Sequence, residues 1–184
     1  MRLSLSEIAT ISLFSALAYA GGFLLIAVPN IEIFTAIVFI SGVLLGPRNG
    51  AIVGVVAQTL YSVFNPYGMS PLPLMLAQIV NRAFVGWVGG WFRQKNLTGE
   101  NALKKAIQFG TAGLFLTLLY DFMAFLSFQW MSGFSFQQMQ ASFAIGVPFY
   151  LIHSLGNTAI FALAVPAVLK AIDKSSGLRK VDVH

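Results

Sequence analysis

The sequence predicts an all-α integral membrane protein of about six transmembrane helices, with both termini on the cytoplasmic side. Composition sets the class. Of 184 residues, 57% are hydrophobic and only 9% charged, and the mean hydropathy is +0.79; soluble domains carry about 25% charged residues. Spacing sets the count: apolar stretches recur between clusters of turn residues, and one crossing takes about 20 residues. The whole chain, 1–184, therefore reads as a single membrane domain. The basic residues set the orientation. With the N-terminus inside, Arg2, Arg48, Arg93, Lys95, Lys104, Lys105, Lys170, Lys174, Arg179 and Lys180 all fall on the cytoplasmic side. They are ten of the 11 Lys and Arg, and the three outer connections carry none.

Met1-Arg2-Leu3 leads into Glu7 and an apolar run without a cleavage site, which predicts a retained first helix over about Ile8 to Val28, stopped by Pro29-Asn30. The second helix, about Ile33 to Leu45, is short and ends at Gly46-Pro47-Arg48-Asn49-Gly50. A third is expected over about Ala51 to Phe64, followed by the turn-rich stretch Asn65 to Pro71. The fourth opens at the prolines of Pro71-Leu72-Pro73 and closes near Phe92. A polar link from Arg93 to about Lys105 leads to the fifth, about Ala106 to Phe128. A loop is expected around Trp130, Gly133, Gln137, Gln138 and Gln140. The sixth helix runs from about Ile145 to Ile172, with a mobile polar tail from about Asp173. Small residues repeat at i+4 along several helices, at Ser12/Ala16/Ala20, Gly42/Gly46, Gly50/Gly54 and Gly86/Gly90. Such faces allow close helix approach in lipid.

Arg82 is the one basic residue that falls inside an apolar span. A charge near the bilayer centre costs roughly 2.5–3.5 kcal/mol on insertion scales and marks a partner or a cavity. Gln78 lies one helical turn before it and Asn81 beside it, which makes a polar stripe on an apolar helix. Asp121 lies about 24 Å along the fifth helix from Lys105 at about 1.5 Å per residue, within reach of a long arginine. Two readings of Arg82 and Asp121 stay open: a structural ion pair, or groups that meet a polar substrate. His153 and Asn157 share one face of the sixth helix, and interhelical hydrogen bonding accounts for them as well as ligand binding does. Gln58 and Thr59 read as packing polars, and Glu32 as a solvated residue of the first outer connection. The candidate pocket is thus Gln78, Asn81, Arg82, Asp121, His153 and Asn157, walled by Tyr67, Tyr120 and Trp130.

Catalytic residues are not predicted. The chain has no His-Glu-x-x-His pair and no glycine-rich phosphate loop with lysine, and a membrane-embedded enzyme would need more ionisable groups at one depth. There is no cysteine and only two histidines, His153 and His184, so neither a metal site nor a cofactor is expected. The net charge of +5 comes from helix ends and predicts no nucleic-acid partner.

Two stretches, Ser12-Leu13-Phe14-Ser15-Ala16-Leu17-Ala18-Tyr19-Ala20 and Leu44-Leu45-Gly46-Pro47-Arg48-Asn49-Gly50-Ala51, together with the topology, resemble the substrate-binding (S) components of energy-coupling factor (ECF) vitamin transporters. The resemblance implies six helices with the N-terminus inside, in a bacterial or archaeal cell membrane. It implies a vitamin-like small-molecule substrate bound near the outer face, under the first and third outer connections. It also implies docking of Ser12, Ala16 and Ala20 on a transmembrane coupling subunit that works with two ABC ATPases. Nickel and cobalt members of that family begin Met-His, whereas this chain begins Met1-Arg2, which argues against a metal substrate. The alternative is a self-sufficient secondary carrier or channel for a small polar or anionic solute, whose signature would be an internal repeat between halves.

Overall fold

Each helix begins and ends where local chemistry lets it, and the chain order is α1 (Leu5–Leu24), α2 (Phe34–Leu45), α3 (Pro47–Val63), α4 (Leu72–Arg93), α5 (Ala102–Ser132) and α6 (Phe136–Val181). These come from a computed structural model that describes residues 3–25, 27–93 and 101–181, with side chains through 175. Arg2, Lys95 with the rest of the 94–100 link, and the last expected tail residues, 182–184, lie outside the described residues. Among the described residues four helices are long and apolar enough to cross a membrane: α1, α4, α5, and α6 over Phe136–Ser175.

Ser4 caps α1, its side chain accepting from Glu7 N–H while Glu7 Oε2 accepts from Ser4 N–H at 2.8 Å. This reciprocal box satisfies two of the orphan donors of a first turn. Asn49 Nδ2 donates to Glu7 Oε1 at 3.3 Å, which ties the start of α1 to that of α3. Pro47 occupies the first turn of α3, where its missing N–H costs nothing, so α3 starts four residues earlier than expected.

The expected loop around Trp130 to Gln140 is corrected. α5 continues to Ser132, and Gly133 caps it in the left-handed conformation (φ 61°). Ser135 and Gln138 then form a second reciprocal cap: Ser135 N–H donates to Gln138 Oε1 at 2.8 Å, and Gln138 N–H to Ser135 Oγ at 3.4 Å. The glutamines that looked like loop are the polar first turns of α6. Neither Pro148 nor Pro166 breaks α6, and the helix runs through Val181 where a mobile tail was expected.

Glycines set the spacing of α2, α3 and α4. A Cβ on Gly86 would fall on the carbonyl of Gly50, and one on Gly42 on the carbonyl of Gly86, so these backbones touch directly. Gly46, paired with Gly42 in the sequence pattern, serves the turn between α2 and α3 instead, at φ 89°. Below this contact Phe39 of α2 is the hub of an aromatic core. Its ring lies 5.2 Å from Phe92, 6.0 Å from Phe109 and 5.1 Å from Phe161, each edge to face. That core joins α2 and α4 to α5 and α6, and leaves the polar residues for the end closed by the α1–α2 connection.

Candidate functional site

Glu32 was expected in solvent; its side chain is 17% exposed and faces inward. The reason is the entry to α2. Thr35 N–H donates to Glu32 Oε2 at 2.8 Å and the Thr35 hydroxyl bonds Oε1, so the carboxylate folds under the first turn of the helix as a capping group. There it meets Arg82 Nη2 at 3.6 Å. Burial alone would push the Glu32 carboxyl up, but the Arg82 charge and bonds from His153 and Thr35 hold it below the usual carboxylate range.

Arg82 is therefore partnered differently from the structural ion pair with Asp121, one of the two readings left open by the sequence. Its Nε donates to Gln58 Oε1 at 3.3 Å and its Nη1 to the Thr35 hydroxyl, while the guanidinium carbon stacks 4.7 Å from the Phe34 ring and 4.5 Å from the Tyr120 ring. Asp121 accepts instead from His153 Nδ1 at 2.7 Å, and His153 Nε2 stands 3.8 Å from Glu32 Oε1. The two carboxylates and two basic groups form one chain, Arg82–Glu32–His153–Asp121, and not an arginine–aspartate pair. Asn157 Nδ2 reinforces it, donating to Thr117 Oγ1 at 3.0 Å and Glu32 Oε1 at 3.4 Å.

This chain lines a cavity of about 250 Å³. It is lined by Gln58 and Tyr61 of α3, Arg82 of α4, Tyr120 and Asp121 of α5 and His153 of α6, together with Phe34 and the connection from Val28 to Glu32. Asn30 fastens the α1–α2 connection to α6, donating from Nδ2 to the Phe149 carbonyl at 3.2 Å.

Of the expected site residues, Arg82, Asp121, His153 and Tyr120 meet at the cavity. Asn157 stands behind it at Glu32, and Gln78 one layer below, donating to the Tyr120 hydroxyl at 3.0 Å and accepting from Gln58 at 3.3 Å. Asn81 is buried on another side of α4, where its Nδ2 lies 4.0 Å from Met123 Sδ. Tyr67 and Trp130 are not brought to the cavity; they are 81% and 74% exposed, on the α3–α4 connection and near the end of α5. Sequence reasoning missed Glu32, Phe34, Thr35 and Tyr61, and read Gln58 as packing. The usable signals were an acid three residues before Thr35 at a helix start, and Gln58 and Tyr61 three apart on one helical face. Ser12, Ala16 and Ala20 stand together on an exposed face of α1.

A family model described as ECF transporter, substrate-specific component, matches residues 6–173. No curated protein and no solved structure matches the chain.

Proposed function

The chain belongs to the family of ECF transporter substrate-specific components, and on that premise we propose that it captures a vitamin or related small organic micronutrient from outside a bacterial or archaeal cell. The substrate binds in the cavity beneath the α1–α2 connection and passes inward through a transmembrane coupling subunit driven by two ABC ATPases. The observation that carries this reading is the convergence of Arg82, Glu32, His153 and Asp121 on one cavity among apolar helices. Four ionisable groups at one place within a bilayer-spanning bundle are costly and mark a functional site. At about 250 Å³ the cavity is just under the roughly 300–1,000 Å³ of drug-sized pockets, so the polar part of its occupant is small. The exposed Ser12/Ala16/Ala20 face of α1 supplies a flat surface on which the coupling subunit docks.

The test is mass spectrometry of small molecules retained by the purified protein, followed by uptake of the identified molecule in vesicles with and without the coupling subunit and ATPases. Retention that falls in Arg82→Gln, and uptake that requires the added subunits and ATP, are the expected results. Uptake by this chain alone would make it a carrier and end the proposal.

A further inference from the structure

Charge is balanced inside the polar cavity. Arg82 faces Glu32, and His153 stands between two carboxylates, with Nδ1 at 2.7 Å from Asp121 and Nε2 at 3.8 Å from Glu32. A ring with a carboxylate oxygen at each nitrogen is in the arrangement of the imidazolium, the form that donates from both. Two cations thus answer two anions, and each is held in place. A carboxylate arriving at Arg82 would have to displace Glu32, which Thr35 and Asn157 also hold. An ammonium arriving at Asp121 would have to displace His153. Any net charge brought in would stay uncompensated among buried groups, at high cost.

The uncharged polar side chains that line the cavity are bonded as well: Gln58 to Arg82, Tyr120 to Gln78 and Asn30 to the Phe149 carbonyl. Tyr61 is the exception. It lines the cavity half-buried, and its hydroxyl has no hydrogen-bond partner among the described residues. That hydroxyl is within electrostatic reach of Arg82, Glu32 and Tyr120, on the cavity side of the ring. The ring itself is fixed. It stacks on Phe23 at 4.7 Å and meets Phe34 edge-on at 5.5 Å, and a Cβ on Gly22 would come within 2.6 Å of it. With Phe34 and Tyr120 it gives the cavity three aromatic rings.

We propose that the group held in the polar cavity is an uncharged aromatic ring, and that the Tyr61 hydroxyl recognises its hydrogen-bonding substituent. This rests on the reading of the cavity as the substrate site, and adds the charge class of the substrate and the residue that selects it.

The probes are benzamide, benzoate and benzylamine, which share one ring and nearly one size and are uncharged, anionic and cationic at neutral pH. Saturable binding to the purified full-length protein is measured, which sets partition into detergent aside. Benzamide should bind the wild type at least about tenfold more tightly than either ion, because only the ions leave a buried charge uncompensated. Glu32→Gln leaves the Arg82 charge in excess and should turn the preference to benzoate; if that variant does not fold, the wild-type order alone decides. Tyr61→Phe should bind benzamide about fivefold more weakly, the net worth of one hydrogen bond, and keep the order of the three probes, which shows the cavity intact. Tightest wild-type binding by either ion, a folded Glu32→Gln that still prefers benzamide, or no saturable binding of any probe overturns the charge class. Unchanged benzamide binding by Tyr61→Phe, or a changed order in it, overturns the role of the hydroxyl. Failure of this inference alone leaves a natural molecule retained by the purified protein, and that molecule carries a net charge or is held equally by Tyr61→Phe. Failure of the underlying site leaves no retained molecule at all.

Discussion

Arg82 is held by Glu32, Gln58 and Thr35 and covered by two rings, so removing it strands a buried carboxylate. Arg82→Gln should lower stability by about 3–5 kcal/mol, the cost of breaking a buried pair from one side. Adding Glu32→Gln should recover most of that loss in denaturant unfolding, whereas adding Asp121→Asn should not, because Asp121 answers to His153. Equal rescue by either carboxylate change would mean that the chain of contacts is not organised as described. The importance of Arg82 was legible in the sequence because a charge inside an apolar run is conspicuous. Its partner was not, because Glu32 sits 50 positions away in a connection and polar residues in connections are ordinarily solvated. Whether such a residue folds inward depends on capping geometry at Thr35, which composition does not reveal.

Among the elements, α1 and α4 invite the sharpest tests. Ser12, Ala16 and Ala20 are all exposed on one side of α1, so Ala16→Trp should leave ligand binding intact and abolish ATP-driven uptake with the coupling subunit present. Normal uptake by that variant would make the face ordinary lipid contact. On α4, Gly86→Ala has no room, since the new methyl would meet the backbone of Gly50. It should cost at least about 1–3 kcal/mol by overpacking, read as a lower unfolding midpoint in detergent. The four long apolar helices were legible because each repeats apolar residues over enough length to cross. The start of α6 was not, because its first turns, Phe136-Gln137-Gln138-Met139-Gln140, are as polar as a loop and are held helical by the Ser135/Gln138 cap.

At the scale of the molecule, α2, α3 and α4 form a platform locked by backbone contact at Gly42, Gly50 and Gly86, while α5 and α6 form a hairpin that meets it through the Phe39 core and the polar chain. Glu32 and Arg82 belong to the platform side of the cavity, Tyr120, Asp121 and His153 to the hairpin side. Ligand loading should therefore slow amide hydrogen exchange around residues 27–33 and near Tyr120 and His153, and leave the platform interior unchanged. Protection spread evenly over all six helices would mean that the cavity is not a seam between two bodies.

The Arg82–Glu32 pair has a consequence for biosynthesis. Both residues, with Thr35, Gln58 and Phe34, lie before Arg93, so the arginine finds its counter-charge among helices already synthesised before Asp121 or His153 leaves the ribosome. The nascent chain never has to hold a bare cation midway along α4 while it waits for the hairpin. A Glu32→Gln chain loses that early neutralisation, and its fourth helix should enter the bilayer less efficiently during translation, even where the finished protein is stable.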